Sequence, residues 1–156
     1  MQRAPIIDPF GRHIHYVRLS VTDRCNFRCI YCMEPGDRFL PKMQLLSLEE
    51  YVRLVDVLLT LGIRTVRITG GEPTLYPELD ELIEVLGQRD LDDLAMTTNG
   101  SRADSDTLAQ WRHAGLKRIT FSLDTLREDR MQSITRSRTT VAEVLGAIRL
   151  AREVGY

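Results

Sequence analysis

The stretch that decides the fold is residues 16–32, YVRLSVTDRCNFRCIYC, in which an apolar segment runs directly into a loop of cysteines. Residues 16–21 are rich in β-branched and aromatic side chains, which favours a strand. Cys25, Cys29 and Cys32 follow at the spacing C-x-x-x-C-x-x-C, and the chain has no other cysteine. Because binding sites in α/β proteins form at the carboxyl ends of strands, the sequence predicts a thiol-rich site at the end of this strand.

The cysteine spacing leaves several interpretations open. Three thiolates on one loop can ligate three irons of a [4Fe–4S] cluster and leave the fourth iron open to an outside molecule, which favours catalysis. Zinc is an alternative, with His13 or His15 as a fourth ligand. Cys29 and Cys32 also have the spacing of a redox dithiol. The odd number of cysteines argues against a disulfide framework.

The rest of the chain alternates between helical and strand patterns. Ser47-Leu48-Glu49-Glu50 is a capping box, which predicts a helix that ends near Gly62. The first strand is predicted within residues 12–22. Further strands are predicted at 65–69, 94–98 and 118–123. Further helices are predicted over about 77–86, 104–114 and 141–154. This alternation indicates a parallel sheet with right-handed crossovers.

The length of 156 residues limits the architecture. A closed eight-stranded barrel needs about twice this length. We therefore expect an α/β fold, a partial (βα) barrel in which about four βα units form an open, curved parallel sheet. Residues 1–12 are expected to be an irregular lead-in, because Pro5, Pro9 and Gly11 interrupt regular structure. Residues 13–156 are expected to form one core domain.

Composition and charge exclude several classes of function. The formal net charge of −1 gives no basic field for nucleic acid. No apolar run approaches the ~18 residues of a membrane span, and the N-terminus lacks the apolar stretch of a signal peptide. Unpaired thiols favour a reducing compartment, so we expect a cytoplasmic protein.

Polar residues in and after the strands are candidate ligand contacts. Residues 70–73 (GGEP) follow a strand, where glycines let a ligand approach the backbone, although such a pair is more often a simple turn. Arg18 and Arg67 each lie inside an apolar strand, where a charge is costly unless it is paired or faces a polar cavity. Pairing with Glu72 or Asp124 is one explanation. A phosphate or purine ligand, which suits the planar guanidinium group, is the other.

The cysteine spacing, with the aromatic Tyr31 just before the third cysteine, resembles that of the radical S-adenosylmethionine (SAM) superfamily. The resemblance implies that Cys25, Cys29 and Cys32 hold a [4Fe–4S] cluster whose open iron chelates SAM. It also implies that the reduced cluster cleaves SAM to a 5′-deoxyadenosyl radical, while the protein supplies binding, orientation and shielding.

The same resemblance implies a SAM site formed by Tyr31, Gly71 and Ser122. The Tyr31 backbone would contact the adenine, Gly71 would belong to the superfamily's GGE motif, and Ser122 would contact SAM at the end of the fourth strand. Each residue also has a structural explanation. Tyr31 would pack in the core, the glycines would form a turn, and Ser122 would cap the turn before Asp124.

Further motifs narrow the resemblance to the GTP 3′,8-cyclase family of molybdenum cofactor biosynthesis. They are residues 8–12 (DPFGR), 19–29 (LSVTDRCNFRC), 31–33 (YCM), 39–42 (FLPK), 67–73 (RITGGEP), 97–100 (TTNG) and 122–124 (SLD). The resemblance implies conversion of GTP to a 3′,8-cyclo nucleotide. Arg18, Arg67 and Thr97 match residues that contact GTP in the family, although a threonine at this place is more often structural. The implied partners are GTP and an electron donor, with a homodimer among the expected assemblies.

Departures from the family pattern limit this expectation. The family binds a second cluster through three later cysteines, but no cysteine follows Cys32, and the family's double-glycine tail is absent. Thr74 stands where leucine is more usual. We therefore expect residues 13–156 to be a truncated radical SAM core that assembles the first cluster but does not complete the cyclisation alone. The alternatives are another radical enzyme, such as a peptide-modifying maturase, and a zinc-stabilised structural module.

Overall fold

The structure is a computed structural model that describes residues 5–34 and 36–156. Its strands are β1 (Ile6–Ile7), β2 (His13–Ile14), β3 (Tyr16–Ser20), β4 (Thr65–Thr69), β5 (Asp93–Thr98) and β6 (Arg118–Phe121). Its helices are α1 (Leu48–Thr60), α2 (Leu79–Gly87), α3 (Ser105–His113), α4 (Glu128–Thr135) and α5 (Val141–Val154). Short 3-10 helices lie at Lys42–Gln44 and Pro73–Leu75. Strands β3 to β6 form one parallel sheet in sequence order, which confirms the α/β fold and the open sheet.

One face of this sheet carries the main hydrophobic core. The alternation of side chains along each strand sends every second residue to this face. Helices α1, α2, α3 and α5 contribute apolar residues to the same cluster. The buried strand residues on this face are Leu19, Val66, Ile68, Leu94 and Met96. The four parallel strands are therefore fixed from one side by helices.

The opposite face of the sheet is polar. The parallel register aligns Arg18 with Arg67, Arg67 with Ala95, and Ala95 with Arg118. Arg18 and Arg118 are exposed, and Arg67 is half-buried. A parallel sheet is usually covered on both faces by apolar layers. This sheet instead has one polar face with exposed residues, where a polar ligand can reach the strands.

The predicted capping box at the start of α1 is confirmed. The Ser47 hydroxyl accepts a hydrogen bond from the Glu50 N–H, and the Glu50 carboxylate accepts one from the Ser47 N–H at 2.8 Å. Thr140 and Glu143 form the same arrangement at the start of α5. Both caps satisfy backbone donors that the first turn of a helix leaves free.

The N-terminal segment is more regular than the sequence predicted. Strand β1 pairs antiparallel with β2, and the turn between them is closed by Asp8, whose Oδ1 accepts from the backbone N–H groups of Phe10 and Arg12 at 2.9 Å. The prediction of an irregular lead-in was wrong at residues 6–7, because the Asp8 carboxylate organises a turn that the prolines and Gly11 permit. The first four residues of the predicted lead-in lie outside the described residues.

Two further differences concern the bounds of elements. The predicted strand over 12–22 is interrupted at His15, whose carbonyl accepts from the N–H groups of Arg64 and Thr65. Helix α4 was not predicted, because its sequence is mostly polar and Arg127 provides no side-chain cap. Within residues 5–34 and 36–156, no helix is long and apolar enough to cross a membrane.

Gly87 and Gly146 provide a matched test of helix packing. A Cβ atom at Gly87 would overlap the carbonyl oxygen of Ala114 and lie 2.9 Å from its carbonyl carbon. We expect Gly87→Ala to lower the free energy of unfolding by about 1–3 kcal/mol, the usual cost of overpacking. At Gly146 the nearest atom to such a Cβ is 4.0 Å away, so Gly146→Ala should raise this free energy by about 0.5–1 kcal/mol. Urea unfolding followed by Trp111 fluorescence measures both, and effects of the same sign would contradict this packing.

Candidate functional site

The three cysteines lie on the loop that follows the carboxyl end of β3. Cys25 and Cys29 are half-buried, Cys32 is exposed, and all of them are free thiols. The backbone N–H groups of Cys32 and Met33 donate to the Cys29 carbonyl at 2.9 and 3.1 Å, which closes a tight turn between the second and third cysteines. The Phe27 N–H donates to the Cys25 sulfur at 3.3 Å.

The surroundings of the thiols affect their ionisation. Burial raises the pKa of both Cys25 and Cys29, and the neighbouring sulfurs raise it further. The Phe27 N–H lowers the pKa of Cys25, because a donor stabilises the thiolate. A bound metal reverses the effect of burial, since the thiolate is the form that ligates. Within the described residues, no group of three or more histidine, cysteine, aspartate or glutamate side chains is arranged to hold a single metal ion. Three free sulfurs on one loop, one of them already accepting an N–H, are a donor set that fits an iron–sulfur cluster.

The histidines named for the zinc alternative do not approach this loop along the chain. His13 lies in β2 and His15 just before β3, whereas the cysteines follow the other end of β3. A five-residue strand separates its ends by roughly 3.3 Å per residue. Among the described residues, the structure therefore does not bring His13 or His15 to the cysteines as a fourth zinc ligand.

Phe27 anchors the cysteine loop in a small apolar cluster of its own. Its side chain is 4% exposed and packs with Met131 of α4 and with Val141 and Val144 of α5. Cys25 and Cys29 contact the same cluster. Helix α4, which the sequence did not predict, thus packs against the cysteine loop.

Backbone hydrogen bonds join the cysteine loop to the end of α4. The Arg28 N–H donates to the Thr135 carbonyl at 2.8 Å, and the Ile30 N–H donates to the Ile134 carbonyl at 2.9 Å. The last carbonyls of a helix have no partner within the helix, so the loop satisfies groups that α4 leaves free. The Arg28 guanidinium also donates to the Cys25 carbonyl at 2.7 Å.

Gly70 and Gly71 lie against the chain that leads to the first cysteine. The Gly71 N–H donates to the Thr22 carbonyl at 2.6 Å. A Cβ atom at Gly71 would lie 2.5 Å from the Asp23 carbonyl oxygen, and one at Gly70 would lie 2.5 Å from the Thr22 carbonyl oxygen. Both glycines are therefore required by the close approach of two backbone segments. Gly71 is also exposed, so its backbone remains accessible to a ligand.

Tyr31 and Ser122 lie at the same end of the sheet. Tyr31 is 68% exposed rather than packed in the core, and its hydroxyl donates to Asp124 Oδ2 at 2.7 Å. This hydrogen bond raises the pKa of Tyr31 well above its usual range, so the phenol stays a neutral donor. Ser122 is exposed, and its N–H donates to the Thr98 carbonyl at 2.9 Å.

Arg18, Arg67 and Thr97 share the polar face of the sheet. Arg67 Nη1 donates to Thr97 Oγ1 at 3.1 Å and to Thr120 Oγ1 at 2.8 Å. Arg18 is the neighbour of Arg67 in the register and is exposed. Thr120 was missed by the sequence analysis, although it lies two residues after Arg118 on β6 and opposite Thr97 in the register, which places it on this face.

The suggested pairing of these arginines with carboxylates is not what the described residues show. The Glu72 carboxylate accepts from Thr74, Thr98 and Asn99, and Asp124 accepts from Tyr31. Neither arginine forms an ion pair with them within residues 5–34 and 36–156. The arginine held on this face by neutral hydroxyls therefore keeps its charge uncompensated.

The sequence profile of the Radical SAM superfamily matches residues 19–156. The chain belongs to the radical SAM superfamily. The match covers the cysteine loop, all strands of the parallel sheet except the first residues of β3, and the helices that support the loop.

Two bacterial GTP 3′,8-cyclases are similar to this radical SAM chain. That of Ectopseudomonas mendocina is 48% identical over 157 aligned residues, which cover 100% of this chain and 47% of the relative. That of Agrobacterium fabrum is 48% identical over 137 residues, which cover 85% of this chain and 39% of the relative. The chain therefore spans about half the length of the curated relatives it matches.

Two solved structures share the fold of this chain. Streptococcus suis SuiB bound to its precursor peptide SuiA superposes with a TM-score of 0.73 at 20% identity, covering 90% of this chain and 31% of SuiB. Methylornithine synthase superposes with a TM-score of 0.70 at 19% identity, covering 90% of this chain and 42% of the synthase. At such identity the likeness shows the fold alone.

Phe27 and Phe10 provide a matched test of how the cysteine loop is anchored. We expect Phe27→Ala to lower the free energy of unfolding by about 3–5 kcal/mol, because the side chain fills a buried cluster. Alkylation of Cys25 and Cys29, which contact that cluster, should accelerate. Phe10 is 84% exposed, so Phe10→Ala should change the free energy of unfolding by no more than about 0.5 kcal/mol. Urea unfolding and timed alkylation with mass spectrometry measure both, and unchanged alkylation in Phe27→Ala would contradict the anchoring.

Proposed function

We propose that this chain is the N-terminal part of a GTP 3′,8-cyclase, an enzyme that converts GTP to a 3′,8-cyclo nucleotide in molybdenum cofactor biosynthesis. The observation that carries the proposal is the pairing of two features on one sheet. A loop of three free thiols follows β3, and Arg18 and Arg67 lie side by side on the polar face of β3 and β4. The 48% identity to curated GTP 3′,8-cyclases supports it.

Cys25, Cys29 and Cys32 would hold a [4Fe–4S] cluster, and Tyr31, Gly71 and Ser122 would contact SAM. When bound and reduced, this pair of cofactors supplies a 5′-deoxyadenosyl radical that removes a hydrogen atom from the substrate. The residues of this chain would hold the cysteine loop in position through the packing of Phe27 and the hydrogen bonds to α4.

Two features of the chain support the assigned SAM contacts. The hydrogen bond from Tyr31 to Asp124 fixes the loop across the end of β6, next to Ser122. Gly71 has an exposed backbone beside the loop, where a polar group of a cofactor can approach.

Arg18 and Arg67 would bind the phosphates of GTP. A polyphosphate carries several negative charges, and the guanidinium group presents a planar set of donors that matches phosphate oxygens. Thr97 and Thr120 hold the Arg67 side chain on the polar face without neutralising it. Arg18 is exposed next to it and free to turn towards a ligand. Thr97 lies close enough to Arg67 to contact the same nucleotide.

The complete reaction is assigned to a longer chain, because the expected second cluster requires cysteines that do not occur after Cys32. An electron donor must reduce the first cluster, and the free thiols suit a reducing cytoplasm, where we place the protein. A homodimer belongs to the proposal as an assembly to be measured.

Nucleotide binding tests the part of this proposal that separates it from other radical enzymes. Arg18→Ala removes a proposed phosphate contact on an exposed side chain and should weaken GTP binding about tenfold or more, the usual effect of losing a hydrogen bond to a charged group. Arg149→Ala changes an exposed arginine on α5 and should leave GTP binding unchanged.

Equilibrium dialysis with radiolabelled GTP, on the anaerobically reconstituted chain, measures both variants. Binding should weaken with added salt, because phosphate contacts are screened. No GTP binding by the parent chain, or equal losses in the two arginine variants, would contradict the proposal. Binding of a peptide instead would favour a maturase.

A further inference from the structure

Glu72 is a buried carboxylate at the end of β4, with 1% of its surface exposed. Its Oε1 accepts from the Thr74 N–H at 3.1 Å, the Thr74 hydroxyl at 2.8 Å and the Thr98 hydroxyl at 2.7 Å. Its Oε2 accepts from the Asn99 N–H at 2.7 Å. A buried carboxylate is tolerated only when its oxygens are hydrogen-bonded. Both oxygens of Glu72 are therefore occupied by donors of this chain.

One route from Glu72 reaches the residue after Cys25. The Asn99 side chain donates to Asn26 Oδ1 at 2.8 Å, and Asn26 Nδ2 donates to the Ser101 hydroxyl at 2.8 Å. The Ser101 N–H donates back to Asn99 Oδ1 at 2.9 Å, which closes a ring of three residues. Because the Glu72 carboxylate fixes the Asn99 backbone, it also fixes the ring that holds Asn26.

A second route from Glu72 reaches the residue before Cys25. The Glu72 N–H donates to the Arg24 carbonyl at 2.7 Å. The preceding Gly71 N–H donates to the Thr22 carbonyl. The two residues that flank Cys25 are thus both tied to the network of Glu72, one through the backbone and one through Asn99.

We infer that Glu72 is a positioning residue that fixes the backbone on both sides of Cys25 and does not itself bind a cofactor. Its side chain is 1% exposed, and each carboxylate oxygen already accepts from donors of the chain. The role in cofactor binding rests on the proposed function, in which Cys25 ligates the cluster and Gly71 contacts SAM. The positioning itself is measurable in the chain without any cofactor.

Glu72→Gln is the sharpest substitution, because an amide cannot replace this carboxylate in either orientation. If its NH₂ group takes the place of Oε2, it faces the Asn99 N–H; if it takes the place of Oε1, it faces the Thr74 N–H. A donor then opposes a donor in a buried place. Glu81→Gln makes the same chemical change at an exposed position of α2 and is the matched control.

Amide hydrogen exchange and timed alkylation of the unloaded chain measure the effect. In Glu72→Gln, exchange in residues 22–31 and 96–101 and alkylation of Cys25 should accelerate about tenfold or more. Exchange in the buried part of α2 should stay as in the parent chain. Glu81→Gln should change none of these quantities.

Two results would overturn the inference. One is unchanged exchange and alkylation around Cys25 in Glu72→Gln. The other is acceleration spread equally over α2, which would show a general loss of stability. If Glu72→Gln does not fold, Thr98→Val decides by exchange in residues 22–31 and by alkylation of Cys25, since it removes one donor to the carboxylate without adding an opposed one. Exchange in residues 96–101 does not count for this variant, because the Thr98 hydroxyl also accepts from the Gly100 N–H.

A second readout connects the inference to the cofactor. After reconstitution, Glu72→Gln should contain as much iron as the parent chain but bind SAM about tenfold more weakly. Equal SAM affinity would contradict the role in cofactor binding. A parent chain that takes up no cluster would remove the proposed function, and the exchange result would still decide the positioning.

Discussion

The close contact between the backbone of residues 70–72 and that of residues 22–24 is the constraint on which the site depends. Two hydrogen bonds join the segments, and a side chain at Gly71 would overlap the carbonyl groups before Cys25. The end of β4 is therefore pressed against the start of the cysteine loop. The contact is made by the protein backbone, and it determines where Cys25 lies.

Other strand ends complete the arrangement. The loop after β5 reaches the cysteine loop through Asn99 and Asn26, the segment after β6 reaches it through Asp124 and Tyr31, and α4 supports it through backbone bonds. The cysteine loop is thus held by contacts from successive units of the sheet. Because side chains alternate along each strand, one face of the sheet packs against the helices and the other stays polar. The residues that stabilise the fold and the residues that can contact a ligand therefore lie on opposite faces. Arg18 and Arg67 are tolerated inside strands because they lie on that polar face.

Much of the fold could be predicted because its signals are local. The four strands of the parallel sheet and the four predicted helices are recognisable from periodicity, and Ser47 and Glu50 cap α1 within three residues of each other. Helix α4 could not be predicted in this way. It has a mostly polar sequence, and its end is satisfied by Arg28 and Ile30, more than a hundred positions earlier in the chain.

The candidate site shows the same division. The cysteine spacing and the strand arginines were visible in the sequence. The partners of those residues were not, because Arg67 is held by Thr97 and Thr120, and Glu72 by Thr98 and Asn99, across 26 or more positions. The sequence offered carboxylates as one explanation of the arginines and a ligand as the other, whereas in the structure Arg67 is held by hydroxyl groups. The sequence analysis assigned Gly70 and Gly71 to ligand access. The structure shows that glycine is needed at both positions because the backbone of residues 22–24 lies too close for a side chain.

The measurement that tests the central claim most directly is electron paramagnetic resonance of the chain after anaerobic reconstitution with iron and sulfide and reduction with dithionite, with and without SAM. If the cysteine loop holds a cluster with one open iron, a [4Fe–4S]⁺ signal should appear and should change when SAM is added. A colourless protein with stoichiometric zinc, or a cluster signal that SAM leaves unchanged, would contradict the account.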